Sequence, residues 1–249
     1  MHHLDPLWLL LAGFGGGLVG SVAGLASLVS YPALLALGIP PVAANVTNTV
    51  ALVFSGVGSV SASRRELTGQ GQRIRQLAGL AVLGGLSGGV ILLATPSHAF
   101  ARVAPVLIGA SSLALLVPRS SPIEGPPTRA RGVLLALGVF LVTLYAGYFG
   151  AAAGVVLLAL LLQSTTETVP RATALKNLLL ALANSVAAVA FALEGPVRWT
   201  AVAPLALGFL AGGRLGPLVV RKAPGGVLRA AIALAGVGVA IHLGLDVYR

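Results

Sequence analysis

Two stretches decide the fold: PPVAANVTNTVALVFSGVGSVSAS at residues 40–63 and VPRATALKNLLLALANSVAAVAFA at residues 169–192. Each is apolar, long enough to cross a bilayer, and carries an asparagine seven residues after a proline (Pro41 to Asn48, Pro170 to Asn177). The second also holds Lys176. Amide and ionisable groups are costly inside a span and tend to mark a substrate or ion path. Their recurrence at an offset of 129 residues (48 to 177) points to a duplicated transporter with its site between the halves.

Composition agrees with a membrane protein. Hydrophobic residues make up 57% of the chain and charged residues 9%, and mean hydropathy is +0.97. A soluble domain carries about 25% charged residues. No ten-residue strand alternation is present, so the class is all-α rather than a β-barrel. The net charge of +10 lies mostly in short turns between apolar segments, which is a topology signal and excludes a nucleic-acid partner. There are no cysteines, so thiolate metal sites and thiol redox chemistry are absent. No metal or cofactor is expected. His2 and His3 are too few for a purification tag, and the apolar run from Leu7 has no small-residue cleavage site.

About eight apolar segments can be drawn, at 7–37, 40–63, 76–95, 99–117, 132–162, 169–193, 197–220 and 226–245. The polar stretch PRSSPIEGPPTRAR at 118–131 is the expected linker between an N-terminal membrane repeat, 1–117, and a C-terminal one, 132–249. Gly20, Ala23 and Gly24 match Gly150, Ala153 and Gly154 at an offset of 130, and Gly84, Gly85 and Gly88 match Gly212, Gly213 and Gly216 at 128. The first and fifth segments run about 31 residues, roughly 46 Å as straight helices against a hydrocarbon core of about 30 Å. Both are interrupted by glycine, in GFGGGLVGSVAG at 13–24 and AGYFGAAAG at 146–154. They are expected to be broken or re-entrant.

Loop charge favours hairpins. With eight simple crossings the basic residues divide nine against five. With hairpins at segments one and five, one side holds Arg64, Arg65, Arg73, Arg75, Arg119, Arg129, Arg131, Arg171, Arg221, Lys222 and Arg229, and the other only Arg102, Arg198 and Arg249. Eleven against three is the asymmetry the positive-inside rule expects. It implies inverted repeats with both termini outside.

A site for a small oxyanion is expected where the halves meet. Asn45, Asn48 and Thr49 follow helical spacing on one segment, with Ser55 and Ser59 on the same stripe read as packing groups. Thr173, Asn177 and Asn184 do the same on the other, with Lys176 beside them. Hairpin tips at Gly20–Ser21 and Tyr148–Gly150 would add free backbone N–H groups, an anion cradle. Arg214 is a further cation within a span. The six acids all lie at segment ends or in loops, so a carboxylate proton relay is not expected. An exported anion needs none, since a negative interior drives each unit charge outward by about 2.3 kcal/mol per 100 mV.

GFGGGLVGSVAG, LLALGIPPVAANVTNTVALVFSGVGS and PRATALKNLLLALANSVAAVAF together resemble the TauE/SafE family of sulfite and organosulfonate exporters, over residues 9 to 245. The resemblance implies two four-segment halves and transport of small anionic sulfur or carboxylate compounds, such as sulfite or sulfoacetate, across the bacterial inner membrane. The protein would be a monomer or homodimer embedded in lipid. Ala26 and Ser27 stand where such proteins usually carry further glycines. A membrane-embedded hydrolase would need an activated nucleophile with a base in reach, and no span holds a serine with a histidine partner. A scaffold would not need a duplicated polar midplane.

Overall fold

The computed structural model describes residues 5–114 and 129–220, with 241 and 245 beyond them; among these every regular element is an α-helix. The helices are α1 (Pro6–Ala23), α2 (Ala26–Ala36), α3 (Pro41–Ala62), α4 (Arg64–Leu67), α5 (Gly71–Ala94), α6 (Ser97–Ala114), α7 (Arg129–Tyr148), α8 (Ala153–Ser164), α9 (Val169–Glu194) and α10 (Trp199–Val220). Six of them, α1, α3, α5, α7, α9 and α10, are long and apolar enough to cross a membrane. The linker at 118–131 apart from its last residues, and the apolar segment at 226–245 apart from 241 and 245, lie outside the described residues.

Helix starts follow local chemistry. The Asp5 carboxylate accepts from the Leu7 N–H at 2.9 Å and caps α1. Pro6, Pro41 and Pro170 occupy first-turn positions, where their missing N–H costs nothing.

The two long segments are helical hairpins. Gly24 takes φ 82°, and its N–H closes α1 onto the Gly20 carbonyl at 2.8 Å. The chain then folds back, so that a β-carbon at Gly16 would lie 3.4 Å from that of Ser30. In the second hairpin the chain turns through Gly150 (φ 75°) and Ala152 (φ 57°), and α8 returns with Leu160 against Gly138. The turn of the first hairpin thus lies one helical turn beyond the expected tip at Gly20–Ser21. A stretch with glycine at 13, 15, 16, 17, 20 and 24 does not reveal which of them takes the left-handed conformation.

Close glycine contacts fix the helix directions. Gly13 abuts Leu205 and Gly17 abuts Phe209 and Gly213, so α1 runs parallel to α10. Gly84 abuts Phe140 and Leu144, and Gly88 abuts Leu144 and Tyr148, so α7 runs parallel to α5. In turn α5 is parallel to α9, with Gly85 against Ala183 and Gly89 against Ala187. Because α10 returns from α9 after a short turn, α1 and α7 run in opposite directions. These are backbone-to-backbone approaches that only small residues allow, the usual glue of membrane helices.

The contacts bear on the glycine match in two ways. Gly208 meets Leu10 and Phe14 as Gly84 meets Phe140 and Leu144, 130 positions on, which pairs Gly84 with Gly208 and Gly88 with Gly212 at an offset of 124. Gly85 on Ala183 and Gly213 on Ser55 keep the offset of 128 read from the sequence. Small residues recur every fourth position in both helices, so the match is ambiguous by one turn.

The turns after α3 and before α9 lie at one end of the bundle. Arg73 Nη1 pairs with Glu167 Oε1 at 2.7 Å, and Gln70 Nε2 donates to the Arg171 carbonyl at 3.2 Å. Eight simple crossings would place these turns at opposite ends.

Candidate functional site

The hairpin tips, α3 and α9 line a cavity that is partly open. Hairpin one contributes Gly20, Ser21, Gly24, Ala26 and Ser27; hairpin two contributes Ala146, Phe149, Gly150, Ala153 and Gly154. From α3 come Thr49, Leu52, Ser55, Gly56 and Ser59, and from α9 Asn177, Leu180, Ala181 and Asn184. Its volume is about 50 Å³. One water needs about 10–15 Å³, so the space suits a few waters or one small oxyanion. No charged side chain lines it. One part of the wall offers hydroxyls and amides, another Leu52, Phe149 and Leu180.

The first turns of α2 (Ala26, Ser27) and α8 (Ala153, Gly154) both lie on this wall. First-turn N–H groups have no partner within their own helix and carry positive partial charge. First-turn N–H groups thus reach the wall from the returning helices, Ala26 and Ser27 from α2 and Gly154 from α8, while the Ala153 N–H is taken by the Gly150 carbonyl at 3.1 Å. Gly20 and Ser21, where N–H groups were expected, are at the carbonyl end of α1. Lys176 is fully buried and sits on that end, its Nζ donating to the Gly20 and Ser21 carbonyls at 3.1 Å each. Its charge is thus one residue behind the cavity wall, where it also offsets the negative end of α1. Asn177 Nδ2 donates to the Ser21 carbonyl at 3.3 Å and to its hydroxyl at 3.4 Å, while Asn177 itself lines the cavity.

The stripe on α3 is divided in its tasks. Asn45 Nδ2 donates to the Tyr148 carbonyl at 2.9 Å, which ties α3 to the end of α7. Asn48 Nδ2 donates to Ser27 Oγ at 3.2 Å, and Thr49 Oγ1 donates to the Asn45 carbonyl at 3.0 Å. Of these only Thr49 lines the cavity. Asn45 Oδ1, Asn48 Oδ1 and Thr173 Oγ1 are buried without a partner among the described residues. The paired asparagines do not meet. Gly56 packs on Ala181 where α3 and α9 cross. Asn48 lies eight residues before Gly56, about 12 Å, and Asn177 four residues before Ala181, about 6 Å, on helices that run oppositely.

Arg214 is exposed on α10 and takes no part in the cavity. Ser55 and Ser59, read from the sequence as packing groups, do line it. Ser27 was read from the sequence only as a departure from a glycine pattern, and Phe149 only as lying within the Tyr148–Gly150 tip; both line the cavity. The aromatic contacts of Phe149 with Tyr31 (ring centroids 5.2 Å apart) and Phe100 (5.7 Å) join residues far apart in the chain.

At the end of the bundle, partial burial pushes the Glu167 carboxyl up, but hydrogen bonds and charges from Arg171 and Arg73 outweigh this and hold its pKa below the usual value. Arg171 Nη1 also donates to the Thr68 carbonyl at 3.1 Å. These contacts latch the turn after α3 to the start of α9.

The family described as Sulfite exporter TauE/SafE matches residues 9–243. The probable membrane transporter protein YfcA of Escherichia coli (strain K12) is 29% identical over 216 residues, covering 85% of this chain and 77% of the relative. The probable membrane transporter protein ORF9 of a Sinorhizobium species is 24% identical over 241 residues, covering 96% and 92%. A probable membrane transporter protein of Haemophilus influenzae is 26% identical over 219 residues, covering 85% and 84%. No solved structure matches the chain significantly.

Proposed function

The chain belongs to the TauE/SafE family of membrane transporters, and on that premise we propose that it exports a small anion, sulfite or an organosulfonate such as sulfoacetate. The observation that carries this reading is the cavity at the hairpin tips. Two helix N-termini, the Asn177 amide and several hydroxyls converge there, with the Lys176 charge just behind. A carboxylate is the alternative substrate, because the same donors suit it. Transport is driven by the membrane potential of a bacterial inner membrane, with no cofactor.

The reading includes inverted repeats, residues 1–117 and 132–249, joined by the linker at 118–131. Its support is the opposite directions of α1 and α7, the Arg73–Glu167 pair at one end, and the eleven-to-three split of loop charge. The substrate-binding set is centred on Ser21, Thr49, Gly150 and Asn177, with Asn45, Asn48 and Lys176 as holders of the tips.

Purified protein in liposomes, assayed for flux of sulfite, sulfoacetate, taurine and acetate under an imposed potential, tests the substrate. Flux of sulfite or sulfoacetate above acetate is the expected result. Preference for acetate would move the substrate to the carboxylates, and no flux of any of the four would remove the reading.

A further inference from the structure

We infer that a second, smaller cavity between the central one and the latched end of the bundle is a further station on the anion's path. This rests on the central cavity being the transport site. The small cavity is lined by Ser63, Glu66, Pro170, Thr173, Pro217 and Val220, and its volume is about 10 Å³. That is room for roughly one water, so the station is closed down in this structure.

Its position follows from helical spacing. Ser59 on α3 and Asn177 on α9 line the central cavity, and Ser63 and Thr173, four residues on from each, line the small one. Residues four apart share a helix face, so both stripes continue from one cavity into the next with a step of about 6 Å. Thr173 is 3% exposed and its Oγ1 has no partner among the described residues. A buried hydroxyl left unbonded costs about 1–3 kcal/mol, and an anion passing through would satisfy it. The N-terminal turn of α9, a helix of 26 residues, adds positive partial charge at the same place.

Glu66 also lines the cavity with one carboxylate oxygen buried, and its charge opposes an anion, which suits a station that must release what it binds. Conduction requires sites favourable enough to enter yet weak enough to leave. Gln70 Nε2 bonds the Glu66 carbonyl at 2.8 Å and the Arg171 carbonyl at 3.2 Å, so the latch adjoins the station on both helices.

The chain has no cysteine, so single cysteines report without background. Thr173→Cys and Ser63→Cys, placed on opposite walls, would be alkylated with iodoacetate in the reconstituted full chain. The resulting thioether is stable to sulfite and carries a negative charge. Alkylation at either position is expected to cut sulfite flux at least ten-fold. In Thr173→Cys/Ser59→Cys, prior alkylation at 173 is expected to slow labelling of 59 from that end by a similar factor. Unchanged flux after complete alkylation, or unreactive thiols at both positions in transporting protein, would overturn the station. Alkylated Ser59→Cys separates the two readings: if it stops flux while 63 and 173 do not, only the station fails. If it leaves flux intact, the central site fails and takes the station with it.

Discussion

Gly24 and Gly154, 130 positions apart in the chain, meet backbone to backbone where the two hairpin tips touch. A β-carbon on either would run into the main chain of the other. The contact joins corresponding points of the two matched glycine stretches, so the tips meet where an axis relating the halves would pass. It also brings the first turns of α2 and α8 to one cavity.

Gly24→Ala should therefore be severe. It combines an overpacked contact, about 1–3 kcal/mol, with the left-handed conformation at φ 82°, which costs a non-glycine residue about 1–2 kcal/mol more. A large loss of thermal stability in detergent is expected. A melting temperature like that of the parent protein would mean that the tips stand apart.

Lys176→Met keeps the length of the side chain and removes its charge. The Gly20 and Ser21 carbonyls lose their ammonium donor, and the cavity loses the cation that these bonds hold behind its wall. Hydrogen bonds to charged groups contribute about 1.5–3 kcal/mol, so both stability and anion affinity should fall. Lys176→Arg should not rescue, because a planar fork does not fit the fully buried place of an ammonium. Full activity in Lys176→Met would restrict Lys176 to packing.

Asn48→Leu should separate structure from binding. It removes the bond to Ser27 and strands that hydroxyl, at about 1–3 kcal/mol, while Asn48 itself is not part of the cavity wall and the other lining groups keep their places. The variant should melt earlier while its folded fraction keeps near-normal sulfite affinity. A ten-fold loss of affinity at unchanged stability would put Asn48 in the binding site.

The latch should be acid-sensitive. Because the Glu167 pKa is lowered on folding, its contribution is fully present above the ordinary carboxylate value, about 4.3, and is lost as pH falls through the lower folded value. Thermal stability followed from pH 6 to pH 3 should fall more in the parent protein than in Glu167→Gln. Parallel curves would show that the Arg73 and Arg171 contacts carry no stability.

Much of the fold was legible because apolar length is a direct signal. The two segments too long for one straight crossing had glycine breaks, and these became the hairpins. Where the reading slipped, the cause was local. α5 begins at Gly71 rather than near residue 76, because Arg73 and Arg75 at a membrane edge are polar yet fully helical. Spacing put Lys176 beside Asn177 but could not show that the carbonyl end of α1 lay opposite. Ser55 and Ser59 share a face with Asn48, and only the packing of α9 and the tips reveals which part of that face borders the cavity. Ser27, an interruption of a glycine pattern by sequence, is the partner of Asn48.

The central claim is that the cavity between the tips binds the transported anion, and Asn177 is its most discriminating wall residue. Potential-driven sulfite flux in liposomes, measured side by side for the parent protein and Asn177→Leu, tests it most directly. The amide's loss should cost at least about 1.4 kcal/mol of anion binding, a ten-fold rise in the sulfite concentration needed for half-maximal flux, in protein that still folds. Equal half-maximal concentrations in the two proteins would contradict the site.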